Sequence, residues 1–390
     1  PKLFAKKANG RLLTPFDHMN SAPKPPSFPS RLPNVGTTIF TVMSALATKH
    51  QAINLGQGFP DFPCDSALLD AVNQAMRTGH NQYPPMPGIV ELRQAISEKI
   101  ANLYGHRYDP TSEVTVTAGA TQAIFTAINA CIGKGDEVIV IEPAFDSYLP
   151  AIELAGGKAI SVPMEVKRDS NGLVDSYALP WTAIANAISP KTRLILTNTP
   201  HNPTASIWSA GDLDRLHELV KDTSILILSD EVYEHMVYDN KPHQSIARHP
   251  QLAQRSFLIS SFGKTFHVTG WKVAFIAAPT TLMKEFRKVH QFNVFTVNSP
   301  MQYGIASFMQ NPQRYLSLPD FYQAKRDLFR VGLATIPFKL LPCEGSYFQC
   351  VDYSALPRKE SKLSEADFCR WLTTELGVAA IPNSAFYAKH

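Results

Sequence analysis

Between about residue 112 and residue 279, short runs of aliphatic and β-branched side chains alternate with helical stretches. The runs are Glu113–Thr117, Glu137–Ile141, Ala159–Pro163, Arg193–Thr197, Ile225–Ser229, Phe257–Ser260 and Val273–Ala277, with helical segments near 121–132, 147–155, 209–221 and 281–290. Such alternation predicts an α/β fold: a mostly parallel, seven-stranded sheet, buried on both faces and sandwiched by helices. Ligands of these sheets collect beyond the carboxyl ends of the strands. The polar residues that follow each run are therefore the place to look for chemistry.

Those residues form one chemical set. After Glu113–Thr117 comes Ala118-Gly119-Ala120-Thr121 and then a helix, a turn whose free N–H groups and positive dipole end suit a phosphate. Phe145 follows the second run, Asn198 to Thr204 the fourth, and Asp230-Glu231-Val232-Tyr233 the fifth. After Phe257–Ser260 come Ser261 and Lys264, with Lys272 eight positions further on. Each has a plainer explanation when taken singly: a solvated lysine, an ordinary Asn-Pro-Thr turn, a helix N-cap, a core aromatic. Gly263-Lys264-Thr265 also resembles the tail of a nucleotide-binding P-loop, but that motif needs a glycine where Leu258 stands. A lysine at the end of a buried strand is partly desolvated, which lowers its pKa and frees its amine to bond a carbonyl. A phosphate nest, a stacking aromatic, an amide, a carboxylate near a tyrosine and such a lysine together match the needs of pyridoxal phosphate.

The remainder sets limits. A chain of 390 residues has room for one large or two medium domains. Its net charge of +4 includes no basic block, so nucleic acid is not an expected partner. Five scattered cysteines without a Cys-x-x-Cys pair suit reduced thiols in the cytoplasm. No apolar run approaches the roughly 18 residues of a membrane span, and the histidines show no metal-ligand spacing. Six prolines between Pro15 and Pro33 predict an irregular arm over residues 1–34, disordered at its start. Helical stripes follow at 37–50, 66–77 and 88–104, separated by the Gly- and Pro-rich Asn54–Phe62 and Asn81–Pro85 turns.

Asn54–Phe62, Asn198–Thr204, Ser229–Glu234 and Ser261–Val273, taken in order, carry a family resemblance over roughly Leu32 to His390. The chain resembles the class I/II aminotransferases of fold type I, within them the kynurenine/glutamine transaminase branch, and nearest to its bacterial methionine-preferring members. The resemblance implies a large cofactor domain over 55–300, a smaller C-terminal α/β domain from 301, and an N-terminal arm and helix over 1–54 that packs with the small domain. It makes Lys264 the lysine that bonds the cofactor and moves the substrate proton. Asp230 faces the ring nitrogen, Asn202 and Tyr233 the phenolic oxygen, and Phe145 the ring face. The backbone of Ala120 and Thr121, with Ser261 and Lys272, holds the phosphate. Tyr83 reaches the phosphate of a neighbouring subunit, which implies a homodimer with shared sites. Gly58 and Asn202 contact the substrate carboxylate, and Phe40, Phe348 and Phe295 wall an apolar pocket, Phe295 from its own chain or its partner's.

The implied activity is a ping-pong transfer of an amino group from methionine, or another large apolar or aromatic amino acid, to a 2-oxo acid. The alternative on this scaffold is a β-lyase acting on cysteine conjugates. Three departures from the family stand out. Ala205 and Ala274 occupy positions where glycine is common, and each would be strained if its backbone needs positive φ. The third is an arginine that in relatives clamps the substrate carboxylate beyond Ile381–Tyr387. The sequence ends at His390, ahead of that arginine and of the small domain's last strand and helix. The expectation is a truncated chain or one lacking the clamp, with binding weakened by roughly 1.5–3 kcal/mol per charge-assisted pair.

Overall fold

The computed structural model describes residues 28–357 and 359–388. The arm expected over residues 1–27 lies outside them. Residues 28–35 belong to a separate small unit, turned by a Val35 N–H to Leu32 carbonyl bond of 3.2 Å. From Gly36 on the chain forms one compact unit.

Seven strands build the central sheet: β1 (Val114–Thr117), β2 (Glu137–Glu142), β3 (Lys158–Pro163), β4 (Thr192–Asn198), β5 (Leu226–Asp230), β6 (Ser256–Ser261) and β7 (Ala274–Ala277). They lie in the order β1-β7-β6-β5-β4-β2-β3. All neighbours are parallel except β7, which runs antiparallel to both β1 and β6. This is the mostly parallel sheet that the seven sequence runs predict, each strand within one residue of its expected bounds at either end.

The apolar runs have two jobs because the sheet has two covered faces. Ile139, Ile195, Ile227, Leu258 and Phe275 point into one hydrophobic cluster. Their chain neighbours Val138, Val140, Leu194, Leu196, Leu228, Phe257, Ile259 and Ile276 point into the other. The period-two alternation of side chains thus divides continuous apolar runs between two helix-covered cores.

The flanking helices are α1 (Ile39–His50), α2 (Ser66–Arg77), α3 (Val90–Tyr104), α4 (Ala120–Cys131), α5 (Tyr148–Ala155), α6 (Trp181–Ala187) and α7 (Ala210–Val220), followed by Thr280–Asn293. Thr38, Asp65 and Ser209 cap α1, α2 and α7 through their side-chain oxygens. Between β3 and β4 an antiparallel hairpin pairs Glu165–Arg168 with Val174–Ala178. The C-terminal part carries helices Ser299–Phe308, Leu318–Leu333 and Glu365–Glu375. Ile53–Asn54 pairs in parallel with Val378–Ala379, and α1 packs against Glu365–Glu375.

Register decides what meets at the carboxyl edge. Asn198 lies opposite Asp230, and Ala274 lies opposite both Ser261 and Thr117. Because β7 runs the other way, it starts at the edge where β1 and β6 finish, so Lys272 sits beside the ends of both. Ala205 has φ +59°, the left-handed backbone that glycine would favour. Ala274 is a regular strand residue of β7, so the strain expected there is absent.

Candidate active site

A cleft with a cavity volume of about 210 Å³ opens at the carboxyl edge of the sheet. It gathers twelve of the residues that sequence reasoning singled out: Phe40, Gly58, Ala120, Thr121, Phe145, Asn202, Asp230, Tyr233, Ser261, Lys264, Lys272 and Phe348. Tyr83 and Phe295 do not line it. Their rings meet each other on the surface, centroids 5.3 Å apart, and Tyr83 is 82% exposed.

Lys264 stands three residues past a strand end. β6 stops at Ser261, and Lys264 lies in the single helical turn Phe262–Thr265 that follows. Burial pulls its amine down to about 8; Asp230 opposes that fall and Lys272 adds to it. The Nζ donates to the Gly58 carbonyl and to the Tyr347 hydroxyl, the latter at 2.9 Å. Gly58, expected at the substrate carboxylate, therefore presents its carbonyl to Lys264, and a Cβ there would lie 3.7 Å from Nζ.

Asp230, the last residue of β5, is buried, and burial raises its carboxyl to about 6. The Tyr148 hydroxyl donates to Oδ2 at 2.6 Å, and the Val232 N–H to Oδ1 at 3.3 Å. No lysine or arginine pairs with this carboxylate among the described residues. Asn198 braces the same corner, its amide donating to the Asp230 carbonyl at 2.9 Å and its Oδ1 accepting from the Asn202 N–H at 2.7 Å.

The phosphate end is built by β1, α4 and the approach to β7. Gly119 has φ +84°, and a Cβ on it would lie 2.9 Å from Lys272 Cε. The absence of a side chain thus clears room for Lys272 against the start of α4. Lys272, itself at φ +55°, is exposed there and forms no ion pair among the described residues.

Behind the cleft lies a buried ionic cluster. The Glu234 carboxylate takes hydrogen bonds from Lys99 Nζ, the Tyr104 hydroxyl and the Ser260 hydroxyl. Lys99 holds the Glu234 carboxyl well below the usual range despite burial. Next to it Glu231 pairs with His243 at 2.8 Å. These contacts fasten the turn that carries Asp230 and Tyr233.

The residues fit pyridoxal phosphate on three counts. A glycine-cleared helix start with an unpaired lysine suits a phosphate dianion. A buried carboxylate without a cation suits a protonated ring nitrogen. An amine of lowered pKa suits an aldehyde carbon. Sequence reasoning passed over Tyr148, Asn198 and Tyr347. Tyr148 and Asn198 lie within the strand-end segments it flagged, whereas Tyr347 comes from a distant stretch and only its neighbour Phe348 had been noticed.

The chain belongs to the aminotransferase class I and II family, whose family model matches residues 50–390. Enzymes of this family are pyridoxal phosphate-dependent transaminases, and this chain shares their fold and cofactor chemistry. It is 47% identical over 360 residues to the methionine aminotransferase of Escherichia coli strain K12, covering 92% of this chain and 90% of that protein. The crystal structure of YbdL from Escherichia coli, identified with a methionine aminotransferase function, superposes with a TM-score of 0.88 at 45% identity, covering 94% of this chain and 93% of that one. Kynurenine–oxoglutarate transaminase 1 of Mus musculus is 34% identical over 380 residues, covering 92% of this chain and 89% of that protein.

Proposed function

We propose that this aminotransferase takes the α-amino group from methionine, or from another large apolar or aromatic amino acid, and gives it to a 2-oxo acid in two half-reactions. The observation that carries the reading is the placement, in one cleft with a cleared helix start, of an amine at about 8 and a buried carboxylate at about 6. The similarity to the Escherichia coli methionine aminotransferase supports the choice of substrate.

Pyridoxal phosphate supplies, when bound, an aldehyde that bonds amines and a ring that delocalises the electron pair left on the substrate α carbon. The first amides of α4 at Ala120 and Thr121, with Ser261 and Lys272, hold the phosphate. Asp230 keeps the ring nitrogen protonated, Asn202 and Tyr233 bind the phenolic oxygen, and Phe145 covers the ring face. Lys264 takes the α-proton and returns it one bond away, general acid–base work by one amine. Its lowered pKa matters here. At pH 7 about one amine in ten is free base, against roughly one in 3000 for an ordinary lysine at 10.5. Gly58 and Asn202 meet the substrate carboxylate. Phe40 and Phe348 wall the side-chain pocket, with Phe295 from the same or the partner chain.

The assembly proposed is a homodimer with shared sites, in which Tyr83 reaches the partner's phosphate. Exposed Tyr83, Phe295 and Phe292, the last 89% exposed, support a face covered by another subunit. Residues 55–300 act as the large domain and those from 301 as the small one. The pairing of Ile53–Asn54 with Val378–Ala379 supports grouping the N-terminal segment with the small domain. Five free thiols support a cytoplasmic setting.

The test is a half-reaction. Full chain loaded with pyridoxal phosphate and given methionine without an acceptor should release one equivalent of 2-oxo acid per site and stop, then turn over when a 2-oxo acid is added. A kcat/KM for aspartate equal to or above that for methionine would overturn the substrate assignment.

A further inference from the structure

We propose that Tyr347 is a positioning residue for the Lys264 amine, which it shares with the Gly58 carbonyl so that the nitrogen lone pair faces the cleft. This deepens the aminotransferase reading and rests on it. A neutral amine has two N–H bonds and one lone pair. Lys264 Nζ has two acceptors, the Gly58 carbonyl oxygen and the Tyr347 hydroxyl oxygen at 2.9 Å. The Tyr347 hydroxyl spends its own proton on the same Gly58 carbonyl. Both amine N–H bonds are thereby occupied on one side, and the lone pair is the only valence left for the cleft. When the substrate Cα–H bond breaks, the proton goes to this lone pair and gives an ammonium with a third N–H. The electron pair of the broken bond stays on the substrate side.

The backbone shows why Tyr347 can act as a fixed reference. Ser346 is buried with φ +59°, a left-handed backbone in a non-glycine residue. Its N–H donates to the Met236 carbonyl at 2.8 Å, and the Tyr238 hydroxyl donates to its carbonyl. A Cβ on Gly345 would lie 2.8 Å from the Met236 carbonyl oxygen, so this segment is pressed onto the turn after Asp230 and Tyr233. The Tyr347 ring is wedged by Tyr233 and Phe348, at centroid distances of 5.3 and 5.0 Å. Burial keeps its hydroxyl protonated well above the ordinary range. The other groups facing the amine are the Asp230 carboxylate, the more distant Lys272 cation and the Tyr233 ring at 5.5 Å.

The test is competitive labelling of Lys264 with trace acetic anhydride, in the cofactor-free full chain, across pH 6–11, read by mass spectrometry of its peptide. Tyr347→Phe keeps the ring and its packing but removes the acceptor that favours the charged amine. Its labelling midpoint should move down by about one pH unit. A midpoint equal to the parent's would overturn the proposal, because packing alone would leave it in place. The second measurement uses α-deuterated methionine with loaded enzyme. The variant should turn over at least about tenfold more slowly with a larger isotope effect on kcat; an unchanged kcat and isotope effect would overturn the proposal. Failure of the parent chain to form a visible cofactor band would instead sink the proposed function, leaving the labelling midpoint to judge Tyr347.

Discussion

The Lys99–Glu234 pair gives the sharpest stability prediction. Both side chains are almost fully buried, 4% and 1% exposed. Removing one partner of such a pair leaves an uncompensated charge away from water, at about 3–5 kcal/mol. Lys99→Met retains most of the volume and removes the charge together with its hydrogen bond to Glu234. Tyr104 and Ser260 still donate to Glu234, so the lower half of that range, about 3 kcal/mol, is expected at pH 7. The pH dependence has a defined sign. In the parent, Glu234 is depressed in the folded state, so its contribution is present above the ordinary carboxylate range and is lost as pH falls through the folded value. In Lys99→Met the carboxyl is raised instead, and protonation relieves the defect as pH falls. The assay is urea unfolding of both proteins at pH 7.5 and 5. The difference between them should shrink at pH 5. A difference below about 1 kcal/mol at pH 7.5, or one equal at both pH values, would refute the reasoning.

Other predictions follow from the cleft itself. Capture of pyridoxal phosphate by cofactor-free chain needs neutral Lys264 and charged Asp230, so the stopped-flow rate should rise about tenfold from pH 7 to 9 and level beyond about 8; a rate still climbing near pH 10.5 would contradict the lowered amine. Gly119→Ala puts a Cβ 2.9 Å from Lys272 Cε at a φ of +84°, with strain of about 1–3 kcal/mol. Titration should show weaker binding of pyridoxal phosphate but little change for pyridoxal, which lacks the phosphate. If sites are shared, mixing inactive Tyr83→Ala and Lys264→Ala subunits should restore activity through one intact site per hybrid dimer, whereas equal inactivity of mixed and unmixed samples would refute sharing.

The sheet was legible because a buried parallel strand needs an unbroken aliphatic run, and Val138 to Ile141 or Phe257 to Ile259 admit no other use in a helix-flanked frame. Strand-end chemistry was legible for the same reason, since Asp230 and Ser261 directly follow such runs. The hairpin from Glu165 to Ala178 was not. Its first strand is exposed throughout and carries no apolar period. The two-residue strands at Ile53 and Val378 are too short to leave a pattern. Lys99 reads as the polar face of an amphipathic helix, yet it is buried because Glu234, from a distant segment, arrives to pair with it. Tyr347 escaped notice likewise, since its partner Lys264 lies 83 positions away. Ala205 and Ala274 show the limit from another side. Both replace a common glycine, but only the backbone shows that one sits at positive φ and the other in a strand ladder.

The central claim is that Lys264 bonds the cofactor and then releases it to an amino acid. Visible absorption of the full chain mixed with pyridoxal phosphate tests it most directly, alongside Lys264→Ala. The parent should form a protein-bound visible band that methionine converts to the shorter-wavelength band of the aminated cofactor, while Lys264→Ala forms no such band from protein and cofactor alone. The same band in both proteins, or none in the parent, would contradict the assignment.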